Sequence, residues 1–588
     1  MKSILGRFRK RNIQTNFYHF VLVIFVVAVS VCLIAGLFIN YLTLNKSVNQ
    51  YFEHSNLPNL WVETSQITRE DEEFFASKFE FDKRFKFTAK CKTRAFEYDS
   101  LLLISGGDVS NPYIVEGERG QGCYVDSKFA EKNNFSIGVS TVSFDFEFDS
   151  EIKKLTLKIA GFISMAEDFV VDGNSVIFID EDYFLGVLKN NFDGLENADL
   201  SVIKYNEILI TSDVKSSDVQ EIESYYNNSS SNLVSIQQRE TLNSVVTINS
   251  EIKTAKNMLW IFPIIFVIIS VLVIYSAISQ LVLKERYNLG LLKSLGISNK
   301  QIISSYCGYG VTIGFIGAIL GLLVAPLIIP NMTFEIYDKL YNLPREEVSL
   351  LYPFKLIIAT IFGSIFCGYF SSFFVILGLV SKTPKECMSK FSKIPLNSRK
   401  IKRRIPSILG APLRNMKINL ARTIMSIVGI AGSSLLILLG YGVDVIKKKN
   451  VDKSEFFAIE VFARVFKGFS IVLLILTIAV LLVQIFKERQ QEMAVLRIHG
   501  ESYVKIWVSV LLEMLFICLV GFVFSILLSG PAMLLNLRIF GISGYFYIGF
   551  WAYLKAFLII FLSALLLAAL GLIKIYKLKL SESIKFSE

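Results

Sequence analysis

The sequence predicts a polytopic α-helical membrane protein with eight transmembrane helices, set as two four-helix units, and one extracellular α+β domain between helices 1 and 2. The first observation behind this is apolarity: 53% of the 588 residues are hydrophobic and the mean hydropathy is +0.50. These residues gather in eight runs, each long enough as a helix to cross a hydrocarbon core of about 30 Å. The second is a separation of charge. Residues 41–255 hold an acidic excess, and the rest of the chain holds the basic excess that brings the total to +10. The basic residues flank the apolar runs, a pattern that sets orientation and meets lipid headgroups, so membrane lipid is expected as a partner and nucleic acid is not. The third is a repeat: a stretch beginning Lys284-Glu285-Arg286 returns at Lys487-Glu488-Arg489, each time between two apolar runs.

Residues 1–16 read as an amphipathic cytoplasmic segment: Arg7, Arg9, Lys10 and Arg11 are cationic, while Ile4, Leu5 and Phe8 share a helical face. Transmembrane helix 1 covers 17–43, too long for a signal peptide and without a small-residue cleavage site. The domain at 44–256 is large enough for its own core. Leu60-Trp61-Val62-Glu63-Thr64 predicts a strand. Thr68 caps a helix with Asp71 three residues on, so the acids from Glu70 to Glu73 are a helix start favoured by the dipole rather than a cation site. Phe144-Asp145-Phe146-Glu147-Phe148 alternates strictly and pairs with 155–163; a strand at 207–211 and a helix at 217–226 follow. Cys91 and Cys123 are candidates for a bridge in an extracellular domain. No CxxC or Cys/His cluster occurs, which argues against a metal site.

Transmembrane helix 2 covers 257–283, a first cytoplasmic coupling helix 284–301, and helices 3 and 4 the span 302–380, joined by a short outer loop at 330–351. Gly310, Gly314, Gly317 and Gly321 fall on one stripe that lets another helix approach closely, and Gly363, Cys367, Gly368, Ser371 and Ser372 form a similar face. A basic cytoplasmic linker at 381–420 precedes helices 5 and 6 (421–486), a second coupling helix (487–505), helices 7 and 8 (506–576) and a tail (577–588). Both termini are expected in the cytoplasm.

The halves repeat in more than the short helices. Ser3-Ile4-Leu5-Gly6 recurs as Ser407-Ile408-Leu409-Gly410, and Arg11-Asn12 as Arg414-Asn415, while the second half lacks the inserted domain. Each coupling helix carries apolar residues at helical spacing, then a cation, Lys293 or Arg497, then a terminating glycine, Gly296 or Gly500. A loop that only fixed orientation would not need this order, so each helix is read as a docking element for a cytoplasmic partner. Glu285 and Lys293 in the first copy, and Arg489 and Glu492 in the second, are expected at that contact, with Arg286 and Glu488 beside them. No GxxxxGK[ST] phosphate loop occurs, so any energy source lies on the partner. Glu513, ten residues into an apolar run, is read as a helix–helix hydrogen bond rather than a transport group.

The stretch from Glu488 to Gly500 resembles the ERxxExGxLRAxG signature of FtsX-like permeases in the MacB-type (type VII) ABC transporter superfamily, with Ala494 at the usual Gly and His499 at a usually apolar position. Asn288 to Gly296 resembles the same signature, with Asn288 where Glu is common. Lys382-Thr383-Pro384-Lys385-Glu386 resembles the TPxE exit of the fourth span in large two-unit Gram-positive members, and Arg414-Asn415 with Arg422-Thr423 resembles the approach to their second unit. The resemblance implies a permease in the bacterial plasma membrane with no catalytic residue and no cofactor of its own. Two copies of a cytoplasmic ABC ATPase would hold ATP and Mg, and their motion would pass through helices 1 and 2 to the outer domain. The implied roles are export or extraction of a lipid, lipoprotein or peptide, or resistance to an antimicrobial peptide. Alternatives are regulation of a cell-wall hydrolase and a sensor partnered with a histidine kinase.

Overall fold

Among the described residues, eight helices are long and apolar enough to cross a membrane. The computed structural model describes residues 9, 11–93, 97–118, 120, 122–148, 151–168, 175–192, 195, 199–228, 232–340, 342–344, 348, 350–388, 407–418, 420–449, 457–539 and 548–576. The expected N-terminal segment over 1–8, the linker over 389–406, the loop at 450–456 and the tail at 577–588 lie outside them. In chain order the helices are α1 Phe17–His54, α2 Arg69–Ala76, α3 Ser127–Asn133, α4 Glu181–Asn191, α5 Ser216–Asn228, α6 Asn243–Lys284, α7 Arg286–Ser294, α8 Asn299–Leu340, α9 Phe354–Val380, α10 Pro384–Met388, α11 Ser407–Ile418, α12 Leu420–Lys449, α13 Phe457–Glu488, α14 Gln490–Ile498, α15 Tyr503–Ile539 and α16 Phe550–Tyr576. The chain divides into a membrane unit (1–40, 254–332 and 352–588) and an inserted unit (41–253 and 333–351).

The first span does not stop at residue 43. No glycine or proline interrupts the sequence beyond it, and α1 continues to His54, 38 residues in all. At 1.5 Å per residue that is about 57 Å, nearly twice the hydrocarbon core. It ends where Asn56 takes a left-handed φ of +47°, with Asn56 N–H donating to Glu53 O and Leu57 N–H to Phe52 O, the two bonds of a Schellman closure. Likewise α6 starts at Asn243, well before the expected 257, and carries Pro263 where its membrane-spanning portion begins.

In the membrane unit the glycine stripe on α8 faces two neighbours rather than one. A Cβ on Gly310 would lie 2.0 Å from the Gly368 carbonyl oxygen, and one on Gly314 2.4 Å from that of Ser364, both on α9. A Cβ on Gly317 or Gly321 would instead meet Val27, or Ala28 and Val31, on α1. Gly363, expected on the packing face of α9, has nothing within 4 Å. In the second half, α12, α13, α15 and α16 close around Ile437, Leu474, Ile478, Met514, Ile517 and Ala564.

Among the described residues the inserted unit has ten strands: β1 Leu60–Thr64, β2 Phe81–Lys92, β3 Glu97–Ser105, β4 Tyr113–Gly117, β5 Cys123–Asp126, β6 Thr141–Phe148, β7 Glu151–Ser164, β8 Ser175–Asp180, β9 Glu207–Ile210 and β10 Leu233–Gln238. They run in the order β10-β1-β9-β2-β3-β8-β5-β7-β4, and β6 pairs with both β7 and β2, closing β2-β3-β8-β5-β7-β6 into a ring. Phe144 pairs with Leu155. The ring is filled by Leu102, Val125, Phe144, Leu155 and Ile177. Cys91 and Cys123 are buried there as free thiols, and burial pushes the Cys91 thiol up to about 11. Thr68 and Asp71 cap α2 reciprocally. The loop expected to be a simple connection between spans 3 and 4 joins this unit: buried Asn342 donates to Asp126 Oδ2 (2.6 Å) and Ile163 O (3.1 Å) and accepts from Ser127 Oγ (2.6 Å).

A buried ion cluster anchors the inserted unit. Arg84 on β2 engages Glu207 on β9 and binds Glu167 through two guanidinium nitrogens at 2.8 and 2.6 Å. The Glu167 carbonyl accepts from Ser244 on α6 at 2.5 Å. Burial alone would raise the Glu207 carboxyl; Arg84 and Lys86 overcome it and hold the pKa below the usual glutamate value. A depressed acid contributes stability that is complete above the ordinary glutamate pKa and is lost as pH falls through the lower folded value.

Two outcomes follow. Glu207→Gln should flatten the acid limb of the unfolding-pH profile between those values, and an unchanged limb would contradict the role given to Glu207. Gly310→Leu should separate α8 from α9 and lower stability by about 1–3 kcal/mol or more, whereas Gly363→Leu should leave the thermal unfolding of the detergent-purified chain unchanged.

Candidate functional site

Two tight corners define the site. α6 ends at Lys284, Glu285 turns the chain, and the nine-residue α7 follows. α13 ends at Glu488, Arg489 turns it, and the nine-residue α14 follows. Each short helix ends in the same way. Gly296 at φ +81° donates to Lys293 O (3.0 Å) while Ile297 donates to Leu292 O (3.1 Å). Gly500 at φ +86° donates to Arg497 O (3.1 Å) while Glu501 donates to Leu496 O (3.0 Å). These are Schellman closures, and the left-handed position favours glycine because it has no Cβ.

The glycines set the true register. Glu285 and Arg489 both lie eleven residues before their glycine, so the two Lys-Glu-Arg triplets are one residue out of step. An acid in one half and a base in the other occupy the same buried corner. Each needs a partner there, and each half supplies a different one. Tyr306 on α8 donates to Glu285 Oε2 at 2.6 Å, and Tyr309 accepts from Asn12 Nδ2 at 3.2 Å. Burial pushes the Glu285 carboxyl above its usual value, and the Tyr306 hydroxyl pulls against it.

The second half uses charge. Arg489 donates through Nη1 to Glu513 Oε2 (3.2 Å), through Nη2 to Ser509 Oγ (3.1 Å) and through Nε to Glu492 Oε2 (3.1 Å). Arg422 at the start of the fifth span donates to the other Glu513 oxygen (2.6 Å) and to Glu488 Oε2 (2.5 Å). Glu488 also accepts from Gln280 on α6 at 2.9 Å, and one turn earlier Gln484 donates to Ser276 at 3.1 Å. The cluster therefore ties α12, α13, α14 and α15 to one another and to α6 of the first half. Glu513, expected to make a helix–helix hydrogen bond, is fully buried and shared by two arginines.

The remaining candidates hold the short helices in place. Lys293 donates to Val380 O (2.7 Å) and Lys382 O (2.6 Å), satisfying carbonyls at the end of α9. Arg286 donates to Glu386 O on α10. α10 lies against Gly290 so closely that a Cβ there would sit 2.6 Å from Met388. Arg497 donates to Glu501 O (2.8 Å) and stacks 3.5 Å over the Tyr503 ring. Arg489, expected at a partner contact, thus faces inward, and neither Lys293 nor Arg497 projects freely. The short helices expose apolar side chains, Tyr287 and Leu291 on α7 with Leu295 at its end, and Val495 and Ile498 on α14, beside polar Asn288, Ser294, Gln490 and Gln491. Leu291 and Val495 lie five residues before their glycines, the same position in both copies. Arg422, Gln280 and Tyr306 escaped the sequence reading of the site; for Arg422 the available signal was a cation at the edge of an apolar run.

Glu513→Ala should leave Arg422 and Arg489 buried without their shared partner and cost about 3–5 kcal/mol. Tyr306→Phe in the other half removes one hydrogen bond and should cost about 1–3 kcal/mol. Chemical unfolding of the two variants side by side checks this, and an equal or reversed order would contradict the cluster's weight.

A search of curated proteins finds no match to the chain. The family model described as FtsX-like permease C-terminal matches residues 260–384 and 464–580. The first segment runs from the second span through α7 to α10, and the second from the sixth span through α14 to the eighth. Each half of the membrane unit is therefore similar to the C-terminal domain of the FtsX-like permeases, non-catalytic membrane subunits of the ABC-transporter type.

Proposed function

We propose that this chain is the membrane subunit of an ABC transporter, and that α7 and α14 each receive one copy of a separate cytoplasmic ATPase. One chain then engages two. The observation that carries the reading is the pair of short helices with uncovered apolar side chains at the same register, outside the membrane-spanning segments. Exposed apolar residues grouped on one helix face invite a protein partner. Two such faces on one chain suit the two-fold dimer that an ABC ATPase forms when it binds ATP. ATP and Mg belong to that partner; the membrane subunit supplies leverage.

Motion of a docked subunit reaches the spans through the buried corners. In the second half a shift of α14 moves Arg489, and Glu513, Arg422 and Glu488 carry it to α15, α12 and α6. α1 and α6 run past bilayer length into the inserted unit, so they are the elements that would pass the motion outward. The short helices and both termini are then cytoplasmic, in a bacterial plasma membrane, and the inserted unit is extracellular. Its acidic excess favours a cationic peptide, or a basic patch on an outer protein, as the partner it works on.

Leu291→Asp and Val495→Asp together should reduce co-purification of the ATPase tenfold or more, because a charge would have to enter an apolar contact. Arg489→Ala should leave the ATPase bound and lower the response of its hydrolysis to the membrane subunit. Undiminished binding by the double aspartate variant would defeat the assignment of the docking faces.

A further inference from the structure

A cavity of about 390 Å³ lies between α11, α15 and α16 of the membrane unit. Leu413 and Met416 line it from α11, Leu519 and Phe522 from α15, and Phe557 and Phe561 from α16; among the described residues no charged or amide side chain does. Its α15 and α16 walls lie within membrane-spanning segments, and half-exposed Leu519 shows that it opens outward. Water does not fill an apolar cavity of this kind, and an empty one forfeits dispersion contacts. At that depth the medium consists of acyl chains.

Two cations flank the α11 wall of the cavity. Arg414 and Lys417 follow Leu413 and Met416 by one position each, so they border the face of α11 that lines the cavity. Both are exposed. Arg414 stands 3.8 Å from Glu492, a carboxylate already engaged by Arg489 at 3.1 Å and by Asn415 at 3.4 Å. The Asn415–Glu492 bond also fixes α11 level with α14, at the membrane face that carries the short helices. A chain seated in the cavity thus has its headgroup beside two cations.

We propose that this groove is a binding site for an anionic phospholipid, one acyl chain between α11, α15 and α16 and the phosphate at Arg414 and Lys417. A zwitterionic lipid fills the same groove but gains less from the cations, each of which is worth about 1 kcal/mol toward an anionic surface. The site is independent of any ATPase docking. It also makes α11 sensitive to lipid, and α11 touches the Glu492 end of the ion cluster.

Native mass spectrometry of the full-length chain, extracted from vesicles of equal phosphatidylglycerol and phosphatidylethanolamine, tests the proposal. Retained lipid should be enriched in phosphatidylglycerol. Arg414→Gln with Lys417→Gln should lower that enrichment by about fivefold per cation removed, and the charge-conserving Arg414→Lys with Lys417→Arg should keep it. Leu519→Trp, which fills the groove, should lose both lipids. Retention at the bulk ratio, enrichment that survives the double glutamine variant, or displacement of the lipid by millimolar inorganic phosphate would each overturn it.

Discussion

A carboxylate at membrane depth must be paired, and the second half of the molecule is built around that constraint. Glu513 has no exposed surface and sits ten residues inside the seventh span. Left alone it would be costly in a hydrocarbon environment. Arg422 and Arg489 each take one of its oxygens, and each has a second acid, Glu488 or Glu492, to balance its own charge. Because these groups come from α12, α13, α14 and α15, pairing the one acid fixes the others. The first half builds the same corner around tyrosine hydroxyls. Tyr309 lies thirteen residues after Gly296, as Glu513 lies thirteen after Gly500. It accepts from Asn12, while its neighbour Tyr306 holds Glu285. One short helix is therefore held by buried ion pairs, the other by hydrogen bonds of Glu285, Arg286 and Lys293 to a hydroxyl and backbone carbonyls, and by α10. Two chemically identical partners would meet two mechanically different footings.

That asymmetry extends to the spans. α8 is clamped on one side by α9 through facing glycines and on the other by α1. Among the described residues the close-packed glycines of the second half, Gly440, Gly521 and Gly571, lie on three different helices, and large aliphatic side chains pack around Ile478 and Ile517. With little hydrophobic driving force between helices in lipid, close backbone approach is what holds the first set together. The second set has the ion cluster to do part of this. The inserted unit belongs to the first half alone, which is also the half whose corner sets Glu285 against a tyrosine hydroxyl.

Much of this was legible in the sequence. Apolar runs marked the spans, the glycines marked the ends of α7 and α14, Thr68 and Asp71 marked a cap, and strict alternation at Phe144 to Phe148 marked β6 and its partner. Local rules sufficed because each feature depends on residues close in sequence. What was not legible depends on distant ones. Lys293 and Arg497 look like free cations until the carbonyls they meet are known. The Lys-Glu-Arg triplets look equivalent until the glycines show them one residue apart. Among the described residues the ring of strands closes through the pair Lys92 to Ser143. Asn342 joins a domain whose sequence ended nearly ninety residues earlier. Periodicity also marks where a helix becomes apolar, not where it ends, which is why α1 and α6 outrun their expected bounds.

The central claim is that one chain, with its two unequal corners, forms the whole membrane body and takes two ATPases. Native mass spectrometry of the complex, purified intact with a non-hydrolysable ATP analogue, reads this directly. A mass corresponding to one copy of this chain and two nucleotide-binding subunits is the predicted result; two copies of this chain in the complex, or a single ATPase per chain, would contradict it.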